Sequence, residues 1–229
     1  MKRAFPILAV CTVAFLGYGF YEALWVAPTD QIQGDVYRII YYHVPSAWTA
    51  FVFLAVNFVA SIVYLVRRNL KADAAAVSAA EVGLVFCTVV LVTGPIWARP
   101  VWGIWWTWDW RLTSTLVMWL IYISYLVLRR FSSGGQTAVL AAALAIFGGL
   151  DIPLVYFSIW FFRTQHPQPV IGDGGSIDPS MFHVWLINWG AFLCFGGLVF
   201  WLRYRQAVQL QEIEEAEALE SLLEVRGAR

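Results

Sequence analysis

Six long apolar segments constrain the fold of this chain more than any other feature of its sequence. A helix needs about 20 apolar residues to cross a bilayer, and the segments are close to that length. Only 13% of the 229 residues are charged, against about a quarter in a soluble domain. We therefore predict an all-α integral membrane protein with a bundle of six transmembrane helices. The predicted spans are residues 4–24, 47–66, 74–96, 112–128, 137–161 and 184–202.

The basic residues predict the orientation of this bundle. With six spans and an internal N-terminus, eleven Lys and Arg residues fall on the inner side and four on the outer side, which is the usual inward bias. Both termini are therefore predicted to be cytoplasmic, and in a bacterium the outer side is the periplasm. The net charge is zero and no basic stripe is present, so nucleic acid is not expected as a partner.

The chain divides into a membrane domain and a short tail. Residues 1–205 form one six-span domain, and its first segment is longer than the apolar region of a signal peptide, so we predict a retained helix. Residues 206–229 carry alternating glutamates and leucines, which predicts an acidic amphipathic helix on the cytoplasmic side. Docking on a cytoplasmic partner and simple solvation both remain open for this tail.

The spans contain few polar or reactive side chains that could have a functional role. Cys11, Cys87 and Cys194 form no CxxC motif, so they are interpreted as small apolar residues. Asp151 lies near glycines and a proline that loosen its helix. Its carboxyl group either accepts hydrogen bonds from freed backbone donors or marks a proton path.

The segment WARPVWGIWWTWDWRL (residues 97–112) holds six of the 13 tryptophans. Tryptophans near a membrane surface commonly form an interfacial belt, which accounts for isolated residues such as Trp25, Trp48, Trp160 and Trp185. Six indoles in one connection are more than an interfacial belt accounts for. Since indoles stack on flat ligands or meet them edge to face, the segment predicts a surface for a ligand or a partner.

Three histidines, His43, His166 and His183, fall on the same predicted outer side. A large, flat, apolar ligand would suit both indoles and imidazoles, and heme fits because histidine is a usual axial ligand of its iron. His183 opens the sixth predicted span and lies outside both the proline-rich QHPQP stretch and the tryptophan segment. We therefore select His43 and His166 as the candidate pair of ligands.

Cations lie in the same outer segments. Arg99, Arg111 and Arg163 are candidate partners for heme propionates, together with indole N–H groups. Asp109 is expected to pair with Arg111 and to hold the shape of the tryptophan segment. Three alternatives remain open from the residues alone: a b-type cytochrome linked to quinol oxidation, a heme permease and a sugar-stacking site. The absence of a mid-span histidine disfavours the first.

Three motifs resemble a known family. WGIWWTWDWRLT (residues 102–113) is similar to the tryptophan-rich WWD motif of heme-handling membrane proteins. HVPSAW (residues 43–48), and QHPQP followed by SIDPSM (residues 165–181), resemble the two histidine motifs of that family. Six spans and about 230 residues resemble its smallest branch, the cytochrome c maturation protein C or heme exporter protein C family.

The resemblance implies a role for each matching residue. His43 and His166 would be the axial ligands of a heme b that is bound non-covalently and transiently. Arg111 and Arg99 would contact the propionates or a partner. The heme platform would comprise Trp97, Trp102, Gly103, Trp105, Trp106, Trp108, Asp109 and Trp110.

The resemblance also implies partners and a compartment. The chain would be a non-catalytic subunit of the bacterial inner membrane that presents heme on the periplasmic face. A periplasmic heme chaperone, cytochrome c maturation protein E, would receive the heme covalently. The ABC-type A and B subunits and a small D subunit would complete the complex, with ATP hydrolysis in the A subunit.

Overall fold

The computed structural model describes residues 4–132, 136–166, 171 and 177–227. These residues form six long helices, and each is long and apolar enough to cross a membrane. The described residues contain no β-strand beyond an isolated bridge between Asp30 and Gly34. The predicted all-α, six-span architecture is therefore confirmed. The helices are α1 (Ala4–Tyr21), α2 (Ile40–Arg67), α3 (Leu70–Trp102), α4 (Trp110–Phe131), α5 (Thr137–Phe161) and α6 (Pro179–Gly227).

Helix α2 lies at the centre of the bundle and contacts α3, α5 and α6, while α1 packs on α6 and α4 packs on α5. Small residues allow the closest approaches. A Cβ atom on Gly83 of α3 would lie 2.5 Å from the Leu54 side chain of α2, and one on Gly149 of α5 would overlap Phe58. Close backbone approach of this kind is how membrane helices gain packing contacts in lipid.

Two ion pairs hold the end of the bundle that the basic residues predict to be the inner one, and it is called the inner end below. Arg129 of α4 donates to both carboxylate oxygens of Asp73 on α3, at 2.7 and 2.8 Å. Arg203 of α6 donates to both carboxylate oxygens of Glu81 on α3, at 2.6 and 2.7 Å. Both pairs are bidentate, the strongest arrangement for Arg and carboxylate, and they join α3 to α4 and to α6.

The helices extend further toward the outer side than the sequence predicted. Helix α2 begins at Ile40 rather than at residue 47, and α3 continues to Trp102 instead of ending at residue 96. Prolines at 45, 95 and 100 lie inside these helices, because membrane helices tolerate proline where neighbouring groups satisfy the backbone. His43, Trp97, Arg99 and Trp102 are consequently helical residues and not loop residues.

The predicted tail is helical, but it is not a separate helix. Helix α6 runs without a break over 49 residues, about 74 Å at 1.5 Å per residue, which is far longer than a bilayer is thick. Three apolar residues of the tail are exposed, with Leu210, Ile213 and Leu219 between 54% and 59% accessible. The amide of Gln211 donates to the Leu70 carbonyl at 3.1 Å, so the base of the tail contacts α3.

Candidate functional site

A cavity of about 320 Å³ lies between α2, α3, α4 and α5 in the half of the bundle away from the two ion pairs, which is the predicted outer half. It falls at the lower end of the range of small-molecule sites. Its floor reaches Cys87 and Met118, so the cavity extends between the helices and is not confined to the outer loops as the sequence had suggested. Six predicted site residues line it: His43, Trp97, Trp102, Trp106, Arg111 and His166.

His43 lies near the outer end of α2 and is 9% exposed. Its Nδ1 atom is 2.8 Å from the hydroxyl of Thr93 on α3. The edge of Trp97 meets its ring, with 5.7 Å between the ring centroids. Two neighbouring groups of α3 therefore fix the imidazole where it lines the cavity.

His166 reaches the same cavity from the segment after α5. Its backbone N–H donates to the Thr164 hydroxyl at 3.1 Å, and the N–H of the preceding Gln165 donates to Asp109 at 3.0 Å. The rest of this connection, residues 167–170 and 172–176, lies outside the described residues, and with it the last three residues of QHPQP and the first residue of SIDPSM. The described part already ties His166 to the tryptophan segment.

Asp109 joins the tryptophan segment to the His166 segment. It precedes α4 and accepts the Leu112 N–H at 3.0 Å, as an N-cap residue does. Its second oxygen accepts from the Thr107 hydroxyl at 3.1 Å and from Gln165. Burial raises the pKa of Asp109, but the hydrogen bonds from Leu112, Thr164, Gln165 and Thr107 outweigh it, so the pKa lies below its ordinary value.

The expected ion pair between Asp109 and Arg111 is wrong for the described residues, where the ion pairs do not include it. The carboxylate of Asp109 is already used by N–H and O–H donors near the start of α4. Arg111 instead lines the cavity. A second donor there, the indole Nε1 of Trp106, is buried without a hydrogen-bond partner. Buried donors normally have partners, so this pair favours an acidic ligand group.

The remaining predicted platform residues form the rim of the site, outside the cavity lining that the structure describes. Trp105, Trp108 and Trp110 are 59%, 77% and 53% exposed. Trp110 stacks on Phe162, with 4.3 Å between centroids. Gly103 ends α3 with a positive φ of 77°, and the guanidinium of Arg99 donates to its carbonyl. Arg99 is therefore used as a helix cap.

The assignment of four tryptophans to an interfacial belt is only partly right. Trp25 and Trp160 are 71% and 48% exposed, as a belt requires. Trp185 is 3% exposed and packs in an outer apolar cluster with Trp48 and Trp189, so the belt interpretation is wrong for it. Trp48 lines the cavity.

His183 lies in the first turns of α6, and the described lining of the cavity does not include it. The structure thus brings together the two histidines that the sequence selected and separates the third from them. His183 consequently provides a matched control for substitutions of His43 and His166.

Sequence reasoning missed several residues of the site. Gln33 lines the cavity, and its side-chain carbonyl accepts the indole N–H of Trp97 at 2.8 Å. Tyr156 of α5 also lines it and packs against Trp48. Thr93 contacts His43 across 50 positions of sequence. Helical periodicity from His43 could have found Ala47 and Ala50, which also line the cavity, but no local pattern indicates Gln33 or Thr93.

The chemistry of the cavity fits a porphyrin. The walls are apolar and aromatic, two imidazoles can bind iron, and Arg111 and the Trp106 N–H can donate hydrogen bonds to carboxylates. A sugar-binding site would not need paired imidazoles beside a cation. The donor set therefore favours heme over the sugar-stacking alternative.

Comparison with known proteins places the chain in a family. The family model described as heme exporter protein C matches residues 1–219. A heme exporter protein C from Bradyrhizobium diazoefficiens is 39% identical over 78% of this chain and 68% of that protein. The heme exporter protein C of Escherichia coli K12 is 34% identical over 90% of this chain and 84% of its own length.

A third relative, from Marchantia polymorpha, is named as a cytochrome c biosynthesis ccmC-like mitochondrial protein and is 35% identical over 82% of this chain and 81% of that protein. The match to the family model spans nearly the whole chain and includes α1 to α5 and α6 as far as residue 219. The family that the sequence predicted is thereby confirmed. The chain is a multi-pass membrane protein that handles heme in cytochrome c maturation, and it belongs to the heme exporter protein C family.

Proposed function

We propose that this chain holds heme b non-covalently and transiently in the outer cavity, with His43 and His166 as the two axial ligands of the iron. One observation carries the proposal. Histidines from two separate outer segments line the same cavity, beside Arg111 and the unpartnered indole N–H of Trp106. Arg111 and Trp106 would bind the propionates, and Trp97 and Trp102 would contact the porphyrin.

Two axial imidazoles suit a protein that carries heme without using it. When both axial positions are filled, the iron offers no open site to oxygen or peroxide. The apolar walls exclude water from the porphyrin faces. The chain would therefore act as a non-catalytic subunit, and ATP hydrolysis would belong to a partner.

The exposed rim supports a role in handover. Trp105 and Trp108 are largely accessible beside the cavity, and exposed aromatic residues are frequent anchors of protein interfaces. The proposed recipient is the periplasmic heme chaperone, cytochrome c maturation protein E. The proposed complex contains the ABC-type A and B subunits and the small D subunit in the bacterial inner membrane. Both termini would be cytoplasmic and the heme site periplasmic.

Substitution of the histidines tests this proposal directly. The purified protein should bind hemin with a low-spin spectrum typical of two axial imidazoles. His43→Ala and His166→Ala should each abolish that low-spin signature, since one axial bond is lost in each. The measurement is the absorption spectrum of hemin-loaded protein at equal protein concentration.

His183→Ala is the matched control, because it removes an outer imidazole that the described cavity lining does not include. It should keep the wild-type spectrum. An equal loss in His183→Ala would reject the chosen pair of ligands. A wild-type protein that binds no hemin would reject the proposed function as a whole.

A further inference from the structure

The contact between Thr93 and His43 is not explained by heme binding alone. We propose that Thr93 is a positioning residue, which holds His43 in the one neutral tautomer whose Nε2 atom can bind iron. This inference rests on the proposed function, because it concerns a ligand of the same site. It assigns a role in that function to Thr93 of α3, which would act on the iron only through His43.

The hydroxyl of Thr93 has a single hydrogen to donate. Thr93 donates it to the Val89 carbonyl, at an O–O distance of 2.7 Å. A carbonyl oxygen can only accept, so the direction of this bond is fixed. The hydroxyl oxygen then has only lone pairs to offer to a second neighbour.

The second neighbour is Nδ1 of His43, at 2.8 Å. Because the hydroxyl acts as an acceptor there, Nδ1 must carry the hydrogen. A neutral imidazole has one N–H group and one bare nitrogen. Nε2 of His43 is therefore the bare nitrogen, and a bare nitrogen is what iron binds.

Burial strengthens the preference of Nδ1 of His43 for its hydrogen bond to Thr93. His43 is 9% exposed, so bulk water cannot easily replace Thr93 as the partner of Nδ1. A buried N–H group without an acceptor is unfavourable, which disfavours any rotation of the ring away from Thr93. Histidines that bind metals commonly donate their other N–H to a neighbouring acceptor in this way.

The chain contains a matched control on the same helix. The hydroxyl of Thr88 donates to the Leu84 carbonyl at 2.8 Å and accepts the indole N–H of Trp119 at 2.8 Å. Thr88 thus has the same bonding pattern as Thr93, but the described lining of the cavity includes neither Thr88 nor Trp119. Thr88→Val removes an equivalent hydroxyl without touching a histidine.

The first experiment reads the tautomer in the heme-free protein. The full chain is labelled with 15N-histidine, and the His43 signals are assigned from their absence in His43→Gln. Protonated and bare nitrogens differ in 15N chemical shift, so the spectrum reports which nitrogen carries the hydrogen. At a pH where histidine is neutral, we expect hydrogen on Nδ1 in the wild type and in Thr88→Val. Hydrogen on Nε2 in the wild type would overturn the inference.

The second experiment reads heme binding in Thr93→Val, Thr93→Ser and Thr88→Val by titration with hemin. Thr93→Val should lose about 10-fold to 100-fold in affinity, as is typical when such a partner of a metal-binding histidine is removed. It should also shift the midpoint potential of the bound heme. Thr93→Ser keeps the hydroxyl and should restore both values toward wild type, and Thr88→Val should leave both unchanged.

The two experiments separate the inference from the proposed function. If wild-type protein binds no hemin, the proposed function fails, while the 15N spectrum still decides the tautomer. If Thr93→Val binds hemin as tightly as Thr88→Val with an unchanged potential, Thr93 has no positioning role. If Thr93→Val does not fold, the spectrum of the wild type and the rescue by serine remain as tests.

Discussion

At the scale of single residues, each proposed ligand is held by a group from a different part of the chain. His43 of α2 contacts Thr93 of α3. The segment that carries His166 is bonded through Gln165 to Asp109, at the start of α4. Both ligands are therefore pre-positioned by the fold, which lowers the entropy lost when a ligand binds.

Arg111 allows a test of how propionates are recognised. Arg111→Gln should weaken hemin binding by about 10-fold to 100-fold, because hydrogen bonds to charged groups contribute roughly 1.5–3 kcal/mol. The dimethyl ester of hemin has no carboxylates, so its affinity should not fall in this variant. Titration of both compounds by absorbance measures the difference.

Arg163→Gln is the control for this prediction, since Arg163 is exposed and the described cavity lining does not include it. It should leave both affinities near the wild-type values. If Arg111→Gln weakens the ester as much as hemin, Arg111 does not act on the propionates.

Asp109 offers two substitutions that separate its roles. Asp109→Ala removes the N-cap of α4, which costs about 1 kcal/mol, and also removes the acceptor for Gln165. Asp109→Asn keeps a capping oxygen but replaces the other oxygen with a donor. We expect Asp109→Asn to unfold below the wild-type temperature, because it loses the carboxylate that accepts from Thr107 and Gln165, but above Asp109→Ala, because it keeps a capping oxygen. It should also retain heme less tightly. Thermal unfolding and hemin titration measure the two effects.

The pKa of Asp109 predicts the pH range of this contribution. Because its hydrogen bonds hold the folded pKa below the ordinary value, ionised Asp109 stabilises the fold above about pH 4, near the ordinary pKa of aspartate. The stabilisation is lost only as the pH falls through the lowered pKa.

Asp178→Asn, at the start of α6, is the control for Asp109→Asn and should leave heme retention unchanged. Equal heme affinity in Asp109→Asn and wild type would contradict the role given to Asp109.

At the scale of helices, the inner end of the bundle contributes to stability and the outer end forms the cavity. The inner ends of α3 and α4 are joined by the bidentate pair of Asp73 and Arg129, whose side chains are 7% and 19% exposed. The outer ends of the same helices diverge around the cavity. Stability and ligand binding can therefore be perturbed separately.

Asp73→Ala tests this separation. It leaves Arg129 without its carboxylate partner, and removal of one member of a buried ion pair costs about 3–5 kcal/mol. The variant should unfold at a markedly lower temperature while its folded fraction binds hemin with wild-type affinity. Thermal unfolding in detergent and hemin titration at low temperature check both parts.

Glu81→Gln is the matched variant for the second inner ion pair. Glu81 and its partner Arg203 are more exposed, at 29% and 49%, so the expected loss is at most about 1 kcal/mol. A loss of stability in Glu81→Gln as large as that in Asp73→Ala would contradict the ranking by burial. Loss of hemin affinity in folded Asp73→Ala would show that the two ends are coupled.

Helix boundaries show where sequence reasoning reaches its limit. The six apolar segments predicted six helices, because length and hydropathy alone decide which segments can cross a bilayer. The spans predicted for α2 and α3 stop short of residues 40–46 and 97–102, because hydropathy marks only the apolar part of a helix, and polar residues such as His43 and Arg99 lie beyond it. In this bundle Pro45, Pro95 and Pro100 are internal to helices. Because the predicted spans stop short, His43 and Trp97 were predicted to lie in loops, whereas both lie on helices and line the cavity.

At the scale of the whole molecule, the described lining of the cavity comes from four helices and three connections. The clustering of indoles and the position of two histidines could be read from the sequence, since each is a local pattern. The contacts of Thr93 with His43 and of Gln33 with Trp97 span 50 and 64 positions. Such pairs depend on how helices pack, which no local pattern encodes.

The single most direct measurement is an electron cryomicroscopy map of the hemin-loaded protein in its complex. The account predicts a porphyrin in the cavity, with its iron bound by Nε2 of His43 and by a ring nitrogen of His166, and with its propionates at Arg111 and Trp106. A porphyrin bound elsewhere, or an iron ligated by His183, would contradict it.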